Sequence, residues 1–359
     1  GVYFYLPKME SAEEASFYRS FFDFSRKHMG LPETGIIRAI ALVESLPIAF
    51  QMEEVLYALG PYAAGLNAAR WDLKASIFEF VMTDPMQVWP DRFDVDVKTT
   101  AFIANIFRRL VAICLKHGAV PIGGMATALP SKDQKINEAA AKSITADKEW
   151  EAAQGFLRGW VAHIFHLKTA AAPFKELHSS GWKPTEKMRN PDNYPIRIEV
   201  PKGTITVHGT RRNARMLIEY LEGWINGRGA KGIDSQAGQP GVHGPLMEDL
   251  ATGRMSVAQI AQRIIHSAKD ADTGQSHDFR LVKRLMNEEI ENILLLHRGD
   301  IPKDDAKSQA MYNAAEIRYR KALKLALRWV KNYTDLDFRS LGSYSRDNIE
   351  TIAAAPDAF

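Results

Sequence analysis

The chain has 359 residues, 46% of them hydrophobic and 25% charged, the make-up of an ordinary globular protein and not of a disordered one. Its 46 Lys and Arg against 43 Asp and Glu leave a net charge of +3, too balanced to point to nucleic acid, and no basic block interleaved with aromatics occurs. The one cysteine, Cys114, excludes an internal disulfide and fits a reducing compartment such as the cytoplasm. No apolar run has transmembrane length, the opening residues lack a charged-then-apolar signal pattern, and the closing "AAPDAF" is not a peroxisomal address.

Residues 2–6 (VYFYL) are apolar and aromatic and read as a buried strand. A buried strand needs neighbours on both sides, so the chain is expected to be a piece of something longer, cut on its N-terminal side. Ser11 and Glu14 form a capping box that opens a helix to about His28, with Gly30 beyond its end. Residues 36–44 (IIRAIALVE) are a second apolar run closed by an acid, and "FQMEEVLYALG" is a short helix stopping at Gly60. "AGLNAARWD" is a brief segment ending on Asp72. A helix over 99–117, a strand in "GAVPIGGMATALP", a helix over 134–154 and a strand in "GFLRGWVAHIF" follow. This alternation predicts parallel strands with helices packed outside, and the continuous apolarity predicts strands buried on both faces. Glu44 and Asp72 are 28 residues apart, about one unit of an eight-fold barrel. About five strands are counted where a closed barrel has eight, so the fold expected is α/β, an incomplete (β/α)8 barrel.

After about residue 183 the character changes. "IRIEVPKGTITVHG" predicts a hairpin around Pro201-Lys202-Gly203, and helices are expected over 211–226, 256–269, 278–297 and 304–332. Between the first two lies a Gly-rich loop of 17 residues, "GAKGIDSQAGQPGVHGP", and long loops in compact domains are usually functional or mobile. The expected division is a barrel part over 1–185 and a C-terminal helical domain over 186–359.

Glu44 and Asp72 each end an apolar strand candidate, and in a parallel barrel such ends gather at one mouth. Two carboxylates brought together there repel unless a cation lies between them, and a hard cation with two carboxylates and otherwise water or substrate is the Mg²⁺ pattern; alternatively both acids cap helices or pair with Lys or Arg. The glycines of "GGMATALP" allow close backbone approach to a ligand, or mark a plain turn. His163 and His166, three apart on a strand candidate, point to opposite faces and are not paired ligands. In "GPLMEDLATGRMS", Asp249 sits among Pro245, Met247 and Leu250, surroundings that raise a carboxyl toward the range of a useful base. The competing reading makes Asp249 a helix cap, which Ser256 is expected to be instead.

Taken together, "YFYLPKMES", "IRAIALVESLPIAFQMEEVLY", "AGLNAARWD", "GAVPIGGMATALPSKD", "NEAAAKSITADKEWEAA", "GWVAH", "EYLEGWINGRGA" and "LMEDLATGRMSVAQIAQ" resemble the A-type branch of the malate synthases, covering most of residues 1–292. The resemblance implies a (β/α)8 barrel with a C-terminal helical domain over its mouth. It also implies a Claisen condensation of acetyl-CoA, glyoxylate and water to malate and CoA. Residue by residue, Glu44 and Asp72 match the Mg²⁺ ligands, and Ala69, Arg70, Trp71 and Asp72 match the loop whose backbone N–H groups hold glyoxylate. Gly123, Gly124 and Met125 fall on the substrate side, and Asp249 matches the catalytic base. The three acids are thus expected to converge on one cavity.

The departures are specific. The family's enolate-stabilising arginine belongs to a strand upstream of this chain, and neither Arg38 nor Arg70 replaces it. Ala69 stands where the family usually has Gly, Ile164 where it usually has Pro, and the loop before Pro245 is longer and richer in Gly. A related malyl-CoA-type lyase and a catalytically silent binder are therefore the competing expectations.

Overall fold

The computed structural model describes residues 1–33, 35–299, 305–338 and 346–355. The chain divides into two compact units, one of Gly1–Ile77 with Asp96–Glu199 and one of Phe78–Val95 with Val200–Phe359. Among the described residues no helix is long and apolar enough to cross a membrane.

The first unit is built on a five-stranded parallel sheet in sequential order: β1 (Val2–Leu6), β2 (Ile37–Val43), β3 (Ala63–Ala68), β4 (Val120–Ala126) and β5 (Arg158–Val161). Its helices are α1 (Ala12–His28), α2 (Leu46–Phe50), α3 (Met52–Leu59), α4 (Arg70–Phe80), α5 (Ala101–His117), α6 (Gln134–Gln154), α7 (Leu167–Ser179) and the single turn α8 (Glu186–Arg189). Local signals set the boundaries. The Ser11 side chain accepts from the Glu14 N–H while Glu14 accepts from the Ser11 N–H, which satisfies two amides that the first turn of α1 leaves free. Gly118 at φ +69° and Gly155 at φ +98° end α5 and α6 in the left-handed region that a residue with a Cβ enters only at a cost.

Strand β2 is almost wholly buried, as its unbroken apolarity predicts. Strand β1 departs from expectation: it pairs with β2 alone, and Val2, Tyr3, Phe4 and Tyr5 are 42–63% exposed, so it is an edge strand of this sheet. The "AGLNAARWD" segment is not one strand; β3 ends at Ala68, and Arg70, Trp71 and Asp72 form the first turn of α4. The expected strand in "GFLRGWVAHIF" is shorter than its apolar run, for the chain leaves the sheet at Val161 and enters a 3-10 turn over Ile164–His166.

The second unit packs α9 (Val207–Ile225), α10 (Leu250–Ile265), α11 (Phe279–Gly299), α12 (Ala306–Thr334) and α13 (Arg346–Ala354), with an antiparallel pair of strands, β6 (Ala230–Ile233) and β7 (Leu246–Asp249). Helix α9 is its centre: every residue from Asn213 to Gly223 is buried, a helix enclosed on all sides. Residues 78–95 join this unit because polar side chains of α10 take their backbone groups. Gln262 Oε1 accepts from the Trp89 N–H at 3.1 Å, Gln259 Nε2 donates to the Pro90 carbonyl at 2.6 Å, and Arg263 Nη2 reaches Asp91 Oδ1 at 2.5 Å.

Asp91 also overturns the expected hairpin around Pro201-Lys202-Gly203. The Asp91 N–H donates to the Thr204 carbonyl at 2.8 Å, and its carboxylate accepts from the Thr206 hydroxyl at 2.6 Å and amide at 3.2 Å. The segment thus spends its hydrogen bonds on Asp91 instead of on a partner strand, and Pro201 has no N–H to give a ladder. Thr206 then caps α9, which starts four residues before the expected 211. The expected start of the last long helix, Asp304, lies outside the described residues, and α12 is capped by Asp305.

Candidate active site

In the first unit, parallel pairing brings the ends of β1, β2 and β3 side by side, and each is followed by a charged residue: Lys8, Glu44 and Asp72. Glu44 and Asp72 are 4% and 6% exposed. The Lys8 backbone N–H donates to Glu44 Oε1 at 2.5 Å; its ammonium bonds Asp72 Oδ2 and lies 3.6 Å from Glu44 Oε2. Burial, and then the charge of Asp72, push the Glu44 carboxyl up to about 7 against the opposing pull of Lys8. A cation does lie between the two acids, and it is a lysine on the left-handed backbone at φ +59°. Nothing in the acids' own segments announced Lys8; the strand-end argument that found Glu44 and Asp72, applied to β1, does.

The β4 glycines serve the protein's own side chains. A Cβ on Gly123 would lie 2.1 Å from Glu151 Oε2, so only glycine leaves room for that carboxylate. The Gly124 N–H donates to Glu151 Oε1 at 3.0 Å, and its carbonyl accepts from Lys148 Nζ at 2.5 Å. Lys148 and Glu151 are themselves paired at 2.8 Å and buried. Asn67 donates to the Gly123 carbonyl at 2.9 Å. Arg70 passes over Gly124, donates to the Met125 carbonyl at 3.5 Å and pairs with Asp147 at 3.4 Å. Lys148 and Glu151 escaped the sequence reading, although a signal was there: they interrupt the apolar stripe of α6 that Ile144 and Ala152 define. Arg38, at the far end of β2 from Glu44, bonds the Pro61 carbonyl. His163 and His166 do not lie on the expected strand: His166 ends a 3-10 turn that the His163 ring caps by accepting from the Phe165 N–H at 3.1 Å, and burial and then the charge of His163 lower the His166 pKa.

In the second unit, Asp249 is the last residue of β7 and the N-cap of α10. Its Oδ1 accepts from the Ala251 N–H at 3.0 Å, and its own N–H donates to Thr252 Oγ1 at 3.1 Å. The expected cap, Ser256, is a buried residue inside α10 that accepts from Arg92 at 3.0 Å. A cap read two turns too late accounts for the error: Asp249 and Thr252 form the capping box, and Ser256 is placed on the buried face. The loop expected over 229–245 is shorter too, since its first residues form β6, pairing Ala230 with Asp249 and Lys231 with Glu248.

That pairing fixes where Asp249 stands. Lys231 Nζ bonds Glu219 and Glu222 of α9, both at 2.7 Å, and Tyr319 of α12 at 3.0 Å, which clamps β6 and through it β7 against the central helix. Glu248, the other acid of the pair, turns inward: it is 3% exposed, faces Arg92 at 3.6 Å, and burial pushes its carboxyl up against the pull of that arginine. Tyr220 is pushed up to about 12 by burial and then by the charge of Asp249. Gly253, one turn into α10, leaves room for the Tyr220 ring, which a Cβ would meet at 3.0 Å.

Among the described residues no group of three or more His, Cys, Asp or Glu is placed to hold a metal ion. Any divalent ion at Glu44 and Asp72 would draw two protein ligands and complete its shell with water or substrate, the habit of Mg²⁺.

Two family descriptions match the chain: malate synthase, TIM barrel domain, over residues 1–197, and malate synthase, C-terminal, over 204–336. Malate synthase A of Escherichia coli (strain K12) is 36% identical over 297 residues, 82% of this chain and 53% of that protein. Malate synthase of Streptomyces clavuligerus is 35% identical over 354 residues, 96% of this chain and 60% of the relative. A glyoxysomal malate synthase of Candida tropicalis is 35% identical over 80% of this chain and 51% of its own length. The chain therefore spans about half to three-fifths of the length of these relatives.

Proposed function

The chain belongs to the malate synthase family, and from that premise we propose that it supplies the metal-binding acids and the base for the condensation of acetyl-CoA, glyoxylate and water to malate and CoA. The observation that carries this reading is the buried pair Glu44 and Asp72 at neighbouring parallel strand ends, with a positive charge already between them. The pair fits a hard divalent cation. Burial first, and then the charge of Asp72, raise the Glu44 carboxyl, and a second positive charge would relieve that conflict. Mg²⁺ held by Glu44 and Asp72 would polarise the aldehyde oxygen of glyoxylate as a Lewis acid.

The protein's own groups do the rest. Ala69, Arg70, Trp71 and Asp72 span the entry to α4, where the first-turn N–H groups lack helical acceptors and suit the glyoxylate carboxylate. Gly123, Gly124 and Met125 act on substrate through the side chains they seat, Glu151 in the space of Gly123 and Arg70 across Gly124 and the Met125 carbonyl. Asp249 removes a proton from the acetyl methyl group, and the enolate carbon so formed attacks the aldehyde carbon. Water then cleaves the malyl thioester, which releases CoA as the thiol and malate as the acid. A reducing compartment such as the cytoplasm suits the buried free thiol of Cys114.

The test is Mg²⁺-dependent release of free CoA thiol from acetyl-CoA and glyoxylate by the intact protein. Turnover that stops with a chelator is expected. Intact malyl-CoA detected by mass, without thiol, would replace this reading with the lyase one, and no product of either kind would leave only a binder.

A further inference from the structure

A cavity of about 210 Å³ lies wholly within the second unit, and Glu44, Asp72, Gly123 and Asp249 are not among its lining residues. One wall is α9, which presents His208, Arg211, Arg212 and Arg215; spacings of three and four residues put all of them on one helix face. The Gly-rich loop between β6 and β7 supplies the rim, including Gln239, and Leu295 and Leu296 of α11 make an apolar side.

The three arginines are not equivalent. Arg211 is answered by Glu288 and by Glu289 at 3.0 Å, and Arg215 by Glu289 at 3.3 Å. Asp234, at the base of the loop, is taken by His243 at 2.7 Å. Arg212 makes no ion pair among the described residues, and its Nε is buried without a hydrogen-bond partner. Its guanidinium carbon lies over the Phe93 ring, 3.2 Å from the centroid, and shares that ring with Arg92 at 4.7 Å. Arg92 has Glu248 and Ser256, whereas Arg212 feels the charges of Asp91, Asp234 and Asp94 without forming an ion pair with any of them. Burial, and next the charge of Arg92, bring Arg212 down to about 10. A planar cation kept rigid by stacking, partly desolvated and left without an acceptor is a fork waiting for an oxyanion.

We propose that this cavity binds a small oxyanion, a phosphate or a carboxylate, on Arg212, with any compact apolar group of the ligand lying against Leu295 and Leu296. The volume is below that of drug-sized pockets, about 300–1,000 Å³, which limits the ligand to a small molecule. The site is separate from the condensation chemistry, and its test does not depend on turnover.

Inorganic phosphate, phenyl phosphate and benzoate are titrated calorimetrically into the intact protein at constant ionic strength, with chloride as the reference anion. Saturable one-to-one binding of phosphate or benzoate is expected, tightened by the phenyl group in phenyl phosphate over phosphate. Arg212→Gln removes the guanidinium fork while keeping a polar side chain and should weaken binding about ten- to hundredfold. Gln239→Glu, on the exposed rim, should weaken it through repulsion without touching the core, and decides the matter if Arg212→Gln does not fold. Asp249→Asn should bind as the parent does, which separates this cavity from the proposed active site. No saturation above chloride with any probe, or binding indifferent to both Arg212→Gln and Gln239→Glu, would overturn the proposal. Equal affinity for phosphate and phenyl phosphate would remove the apolar subsite from it.

Discussion

Asp249 has two jobs in the account above, and a single pair of substitutions separates them. As N-cap of α10 its Oδ1 accepts the Ala251 N–H at 3.0 Å. Asparagine keeps an acceptor oxygen in the same place and ranks with aspartate as a cap, so Asp249→Asn should leave stability within a few tenths of a kcal/mol. Alanine removes the acceptor and should cost about 1 kcal/mol, within a range of about 0.5–2. In a cooperative unit of roughly 150–250 residues that is a fall of about 2–4 °C in Tm. The chemistry sorts the variants differently. An amide cannot take a proton from the acetyl methyl group, so both substitutions should lower thiol release by a factor of about 10² to 10⁴. A third reading comes from Tyr220, whose hydroxyl is held up by burial and then by the Asp249 charge. Asp249→Asn should bring the tyrosine titration down from about 12. The measurements are thermal melts, coupled thiol detection and ultraviolet titration of tyrosinate. If Asp249→Asn melts as low as Asp249→Ala, the capping account is wrong. If Asp249→Asn turns over at the parent rate, Asp249 is not the base.

Gly123→Ala should drive the Glu151 carboxylate out of the space it occupies 2.1 Å from the new Cβ, at a cost of about 3 kcal/mol for a disrupted buried pair, read by urea unfolding; a loss under about 1 kcal/mol would show that α6 yields easily. Lys148→Met strands Glu151 and should cost about 3–5 kcal/mol, whereas Lys148→Met with Glu151→Gln should recover part of it; simple additivity of the two singles in a double-mutant cycle would contradict the pairing. His277 is fully buried between the Thr210 hydroxyl at 2.9 Å and the Ala268 carbonyl at 2.7 Å, and burial holds its pKa below the usual 6.5. The unfolded chain therefore takes up a proton that the folded one refuses, so stability present above about pH 6.5 is lost as pH falls toward the depressed folded value. His277→Gln should flatten that slope in denaturant titrations at about pH 7 and about pH 5, and an unchanged slope would assign it to other groups. Lys8→Met removes the ammonium that competes for Glu44 and Asp72, so calorimetric Mg²⁺ affinity should rise about tenfold, equivalent to ~1.4 kcal/mol; a weaker site would mean that Lys8 supports the ion and does not compete with it.

Much of this was readable in one dimension. Capping boxes, terminal glycines and the period of the apolar positions are signals carried by residues within a turn or two of each other, and they placed α1, α5 and α6 within a residue or two. The parallel sheet followed from rhythm, and the end-of-strand rule picked out Glu44 and Asp72. The same local logic failed at Ser256, where the true cap, Asp249 with Thr252, lay two turns earlier. It failed at the supposed hairpin as well, because the partner of that segment is Asp91, more than a hundred residues away.

The chain order of residue types determined which segments become helix or strand and which acids end a strand, because those preferences arise from torsions and from hydrogen bonds reaching only a few positions. Folding decided what stands opposite each charge: Lys8 between the two acids, Glu151 in the notch of Gly123, Lys231 under β7, and the Phe93 ring under Arg212. Partners so far apart in sequence meet only when the core closes, since burial sets the penalty for an unanswered charge and no spacing along the chain records which distant group arrives to answer it.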